Sequence, residues 1–333
     1  MKDFFWDVIK ITLTITGSII GAGFITGKEI VRFFGGSFIL PSVYCAFLVF
    51  SFFIYILLSS SCKGKAGKIF SVLNFAANAV ILSCMLSGLD YLGYELLGIP
   101  LKYKIISIIS ITVSTFIVSS GIRGLEKFNL VIVPLMIVSA IVIITSNAEF
   151  YPIETTFDSV SEPYKIFLYA GLNLFLSAPV FADLGKGKDK KIRAVSGLLS
   201  GTLLAALILL IILAVTGEGT LSSEMPVLAI FSESKILRGL YGAIVFLGII
   251  TTLLASHYCL IRKREKRRSV KQVIIINLGA LALSVFGFGN IVDRIYPVLG
   301  AVGAVYLVMS AVSQVIFPEA RQERTLLPPK RTE

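Results

Sequence analysis

Three glycines close together in an apolar segment define the first chemistry open to this chain. Gly17-Ser18-Ile19-Ile20-Gly21-Ala22-Gly23 is flanked by mostly apolar residues, from Phe4 to Ile15 and from Phe24 to Phe34. The segment is long enough to cross a bilayer, which takes about 20 helical residues. Glycine weakens a helix and lets the backbone leave helical geometry without a Cβ clash. In lipid, unpaired backbone groups are costly, so an interrupted helix survives only where it lines a cavity or meets a ligand. The groups such a break exposes are main-chain N–H donors and C=O acceptors. A membrane segment broken at mid-depth is therefore a candidate binding site. Close helix packing competes with that reading, because Gly17 and Gly21 also form a small-xxx-small pair.

Other residues with chemical potential fall in three groups. Phe167 to Asp183 carries Gly171, Asn173, Ser177 and Pro179 within about two and a half turns. Proline removes a backbone donor and clashes with the preceding turn. Asn173 could satisfy freed backbone groups or face a polar ligand, and a simple proline kink is the competing reading. Gly248-Ile249-Ile250-Thr251-Thr252 puts small or hydroxyl residues at i, i+3 and i+4, on one helical face. Oxygen-only ligation suits a hard cation; alternatively, membrane threonines bond to their own helix backbone. Ionisable groups near membrane depth form the third group. Lys28, Glu29 and Arg32 follow the glycines, and Asp293 and Arg294 lie near the start of the last apolar segment. Helical spacing puts Lys28 and Arg32 together with Glu29 beside them. Interfacial snorkelling is the plain alternative for all five. Asp90 and Glu95 read as interfacial. No HExxH pair and no nucleophile–base set appears, so the reading is not an enzyme and no catalytic residue is assigned.

The elements that must position these residues are membrane helices. Of 333 residues, 56% are hydrophobic and 15% charged, and mean hydropathy is +0.87. Apolar stretches of about 20 residues recur from end to end, which predicts a polytopic helical membrane protein. The alternating segments of an outer-membrane barrel are absent from the sequence. The first apolar run is too long for a signal peptide, and no polar stretch is long enough to fold as a soluble domain. No P-loop is present, which argues against an ATP-driven pump. Cys45, Cys62, Cys84 and Cys259 have neither metal-ligand nor disulfide spacing. His257 is the sole histidine and reads as a polar packing residue near a helix end. No cofactor is called for, and no metal beyond a possible sodium ion.

Ten spans are predicted, with rough limits 5–33, 38–60, 68–97, 104–120, 126–146, 163–183, 193–216, 236–261, 271–288 and 291–317. They form one transmembrane domain over 1–317, in halves of about 5–146 and 163–317, with a tail at 318–333. The net charge of +11 reflects loop asymmetry and not a nucleic-acid partner. Lys63, Lys65 and Lys68, the Lys186 to Arg193 loop and the Arg262 to Lys271 loop lie on one side. Glu149, Glu154, Asp158 and Glu162 lie on the other, with Glu218, Glu224 and Glu233. An even span count with this bias predicts both termini in the cytoplasm. Spans one and six open the two halves, each with an interruption near mid-membrane. Five spans per half is odd, so the second half enters from the opposite side. Matching interruptions in two inverted halves point to a secondary transporter.

This arrangement resembles the leucine-transporter fold of the amino acid–polyamine–organocation superfamily. The first segment, continuing through Phe24-Ile25-Thr26-Gly27-Lys28-Glu29, is similar to a bacterial permease group with a Gly-Ala-Gly-Phe-x-x-Gly-x-Glu motif. The Asn173 segment and Tyr296-Pro297 also look like that group. The resemblance implies an all-α membrane protein of ten transmembrane helices, a five-plus-five inverted repeat with helices one and six broken. It implies that Gly21, Ala22 and Gly23 present amides to a substrate carboxylate. A helix N-terminus does carry free N–H donors and positive dipole character. Gly171, Asn173 and Ser177 complete the expected substrate site. The carbonyls of Gly17 and Ile20, with Gly248, Thr251 and Thr252, would bind sodium. Some relatives use a fifth-helix lysine in its place, and none occurs between Phe128 and Ser146. An outer gate would close between Arg32 and Asp293, while Glu29 could instead carry a coupling proton.

The expected function is secondary transport of a small carboxylate-bearing solute, an amino acid first, in symport with sodium or protons. The expected location is the bacterial cytoplasmic membrane. Spore-germination receptors contain transporter-like subunits of similar size and fold, so a nutrient-sensing receptor subunit is the alternative.

Overall fold

The first apolar segment folds as three pieces because its glycines stop it twice. In a computed structural model, which describes residues 2–34, 39–59, 64–147, 163–215, 225–231, 233–262, 269–287 and 294–316, every described residue belongs to a helix or a connection. Helix α1 (Lys2–Ile19) ends at the Ile20-Gly21 step, α2 (Ala22–Ile25) is one turn, and α3 (Lys28–Phe34) follows. Gly27, at φ +82°, makes the second stop, in a conformation that costs a side-chain-bearing residue most. The remaining helices are α4 (Ile39–Ser59), α5 (Gly64–Leu97), α6 (Ile105–Ser119), α7 (Ile122–Asn147), α8 (Pro163–Leu184) and α9 (Lys190–Val215). Then come α10 (Pro226–Ile230), α11 (Lys235–Ile261), α12 (Val270–Leu283) and α13 (Tyr296–Ile316). These segments track the ten expected ones within a few residues at most ends, and α10 is an addition.

Seven of these helices, α4, α5, α7, α8, α9, α11 and α13, are long and apolar enough to cross a membrane. Two more apolar helices, α6 and α12 with its terminal 3-10 turn, are shorter. Local signals explain several ends. Ser234 caps α11 by accepting from the Leu237 amide at 3.4 Å. Ser269 and Gln272 form a capping box on α12, each side chain accepting from the other's backbone amide.

The polarity is inverted relative to a water-soluble fold. Phe52, Ile109, Phe116, Val131 and Ile275 stand exposed, while Asn74, Asn78, Asn129, Asn173 and His257 are buried. Lipid carries no penalty for the first group, and internal hydrogen bonds stabilise Asn74, Asn78, Asn173 and His257 in the second. Helix α1 lies at the centre, packed against α7, α8, α9 and α11. His257 acts as the expected packing residue. Its Nδ1 shares a 2.7 Å hydrogen bond with Ser114 Oγ, tying α11 to α6.

One expectation is corrected. The sixth segment is not broken: α8 runs as one helix through Gly171, Asn173, Ser177 and Pro179. Pro179 cannot donate to the Phe175 carbonyl four residues back. Asn74 of α5 donates to that carbonyl instead, and Asn78 donates to the next one, Leu176 O, at 3.1 Å. The proline defect is thus repaired from a neighbouring helix. Asp90, near the end of α5, is buried within the protein. It is 5% exposed, accepts from the Ser107 amide and hydroxyl at 3.1 and 2.6 Å, and pairs with Lys104 at 3.2 Å. Glu95 pairs with Arg238.

Candidate functional site

The break in the first helix leaves carbonyls without their helical partners, and other helices supply donors. Ile20 N still bonds to Thr16 O at 2.9 Å, closing α1. Beyond it, Ser18 O accepts from Ser177 Oγ of α8 at 3.2 Å. Ile20 O accepts from Thr251 Oγ1 of α11 at 3.2 Å. Ile25 O accepts from the Tyr241 hydroxyl at 2.8 Å, and Thr26 O from the Val227 amide of α10 at 2.9 Å. Each of these acceptors lies in or beside an interruption. Polar groups are held at protein-buried depth in the way that irregular backbone in a membrane requires.

Thr251 joins three of the residues expected to hold a cation. Its Oγ1 lies 3.2 Å from Ile20 O and 2.9 Å from Gly248 O. One hydroxyl has one proton, so it can donate to only one of these carbonyls at a time. Thr252 stands next to them, with its Oγ1 buried and unpartnered and 2.8 Å from where a Cβ on Gly21 would stand. Carbonyl and hydroxyl oxygens are the ligand type that hard cations take. At Gly17 the α7 side chains pack directly on the helix, since a Cβ there would meet Val133 at 2.6 Å and Asn129 at 3.0 Å.

A cavity of about 20 Å³ lies against the break. Its polar wall includes Gly21, Glu29, Asn78, Asn173, Ser177 and Thr252. Such a space holds about one water molecule, so the walls here are closed on each other. Of the expected substrate residues, Gly21, Asn173 and Ser177 line it. The Asn173 amide nitrogen donates to Tyr169 O of its own helix at 3.0 Å. Gly171 does not line it. That glycine is a packing contact with α13, where an added Cβ would fall 2.5 Å from Ala304 N and 2.8 Å from Gly300 O. Ala22 begins α2.

Gly23 is covered from inside the protein. The side chain of Glu29 folds back so that its Oε1 lies 2.1 Å from where a Gly23 Cβ would stand. Glu29 is 4% exposed, and the Tyr169 side chain borders its carboxyl. Lys28 and Arg32 take the less buried side of α3, so the expected trio divides across the helix. Asp293, the expected gate partner of Arg32, lies outside the described residues, as does Cys62. Sequence reasoning missed Asn74, Asn78 and Ser256. Two amides one turn apart in an apolar helix were the available signal for the first two, because such groups need partners in lipid.

No known family model matches the chain. The uncharacterized membrane protein YkvI of Bacillus subtilis is 25% identical, covering 95% of this chain and 97% of its own length. The uncharacterized protein YyaD of the same organism is 24% identical over 90% of this chain and 95% of its own. Among solved structures, the Eremococcus coleocola manganese transporter superposes with a TM-score of 0.55 at 13% identity. That match covers 95% of this chain and 78% of the other. Mhp1, a nucleobase-cation-symport-1 family transporter held closed with bromovinylhydantoin, superposes at 0.53 with 14% identity, covering 95% and 79%. At these identities the likeness is one of fold. The chain is a multi-pass membrane protein sharing the leucine-transporter fold of these two transporters.

Proposed function

We propose that this protein is a secondary transporter of a small carboxylate-bearing solute, an amino acid first, coupled to sodium. The observation that carries the reading is the interrupted first helix, whose carbonyls meet Ser177 of α8 and Thr251 of α11 beside a polar cavity. Helices that share one unsatisfied corner can bind solute and ion together. The transporter fold of the structural neighbours supports the same reading, while their cargoes remain their own. In this reading the ten helical segments all cross the membrane, in halves of five, with both termini cytoplasmic. Among the described residues the glycine break lies in the first half, and α8 is continuous.

The solute carboxylate approaches the break at Gly21, Ala22 and Gly23, near Asn173 and Ser177. Sodium sits among the carbonyls of Gly17 and Ile20, with Gly248, Thr251 and Thr252. Alternating access follows from opening one end of the bundle at a time. One end is bridged by Asp7 with Lys188 at 2.6 Å and by Asp183 with Arg262. The other is bridged by Glu95 with Arg238. Proton coupling through Glu29 is the second reading, and its burial at Gly23 favours it.

Affinity measured against sodium and against pH separates the two. The probes are the twenty L-amino acids, screened by thermal shift on the purified protein. For the amino acid that binds, added sodium should tighten binding. Thr251→Ala with Thr252→Ala should abolish that effect, since binding linkage is reciprocal. Under the proton reading, Glu29→Gln removes a pH dependence and the threonine double variant behaves as wild type. Wild-type affinity indifferent to sodium rejects the ion site.

A further inference from the structure

Glu29 is a buried carboxyl group at the wall of the cavity, and what it faces is unusual. It is 4% exposed and forms no ion pair with any described residue. Its side chain lies over Gly23, at the N-terminal end of α2. The site that a solute carboxylate would approach is therefore already occupied on one side by a carboxyl of the chain itself. Keeping such a group without a cation in a membrane interior is costly and marks function.

We propose that Glu29 is the subsite for a cationic ammonium group of the transported solute. The inference rests on the reading that this cavity is the solute site, but it does not depend on the solute's carboxylate. An ammonium group offers three donors and no acceptor. Around Glu29 the cavity offers acceptors: its own two carboxyl oxygens and the Asn173 amide oxygen. Asn173 has committed its nitrogen to Tyr169 O, which leaves its oxygen for the cavity. The chemistry also excludes alternatives. Divalent cations favour several carboxylates or soft ligands, and Glu29 is the single acidic residue in the cavity wall. A zwitterion would then turn its ammonium end to Glu29 and its carboxylate end toward Gly21. Because the cavity holds about one water when closed, this contact forms as the walls separate and reclose.

The test uses three panels on the purified full chain: the twenty L-amino acids, the amines that lack their carboxylate, and the acids that lack their amino group. Binding is read by thermal shift and titration in wild type, Glu29→Gln and Glu29→Asp. The expected result is that amino acids bind and deaminated acids do not. Glu29→Gln should lose about 10- to 100-fold in affinity for the ammonium-bearing ligands, the range for a hydrogen bond to a charged group. Glu29→Asp, which keeps the charge, should recover part of it. Amines that bind as well as amino acids, with the same dependence on Glu29, support this subsite while removing the carboxylate from the proposed function. Acids that bind as well as amino acids in wild type overturn the subsite and leave the carboxylate reading standing, even if the variants do not fold. Unchanged discrimination in a folded Glu29→Gln protein also overturns it. No binding from any panel overturns both.

Discussion

Gly23 and the Glu29 side chain contend for one volume, and only a glycine leaves room for the carboxyl. A methyl group at position 23 would lie 2.1 Å from Oε1 and 2.5 Å from Cγ, so Gly23→Ala must expel the carboxyl from the break. Overpacking of this kind costs about 1–3 kcal/mol, a loss the protein should survive. Ligand selectivity should change more than stability, and thermal denaturation alongside the three-panel binding assay checks this. Gly171→Ala is expected to behave the other way. Its added methyl would strike the α13 backbone, at Ala304 N and Gly300 O, which cannot swing aside. Stability should fall while the ligand preference of the remaining folded protein stays as in wild type. A Gly171→Ala protein of normal stability and altered preference would return Gly171 to the solute site.

At the scale of elements, the repair of α8 by α5 makes a prediction with an internal control. Asn74→Ala leaves the Phe175 carbonyl buried without a donor, and should destabilise by about 1–3 kcal/mol. Pro179→Ala restores the missing amide four residues on, so the Asn74→Ala penalty should shrink in that background. A double-mutant cycle on thermal or denaturant stability should give a coupling of about 0.5–3 kcal/mol. Additive effects would mean that Asn74 acts independently of the proline. The same pair explains how far the sequence could be read. Helix limits were legible because apolar runs, glycine steps and charged loops are local. The first break was legible because Gly21 and Gly23 leave the helix weak where Ile20 and Gly21 unwind. Whether Pro179 breaks α8 was not legible, because the answer lies on a helix about a hundred positions away. The fold of Glu29 onto Gly23 was hidden for a related reason. They lie six positions apart, but Gly27 at positive φ turns α3 back on α2. By contrast, Thr251 meets Ile20, a pairing that the family resemblance implied.

At the scale of the whole molecule, the proposal fixes an orientation and a task. Basic loops retained in the cytoplasm mean that, in a protein cleared of its native cysteines, Glu265→Cys should resist an impermeant thiol reagent added to intact cells. Ser222→Cys should react. The reverse pattern would invert the bundle and exchange the roles of its two bridged ends. The task itself is movement of solute down or against its own gradient, which binding alone does not require. A nutrient-sensing receptor subunit could bind an amino acid at the same site and carry none across. Uptake by the purified chain in sealed liposomes therefore tests the central claim most directly. With an inward sodium gradient, the radiolabelled amino acid selected by the binding screen should accumulate above its external concentration. Collapsing the gradient with a sodium ionophore should release it. Specific binding with no uptake under sodium or proton gradients would contradict the account and favour the receptor.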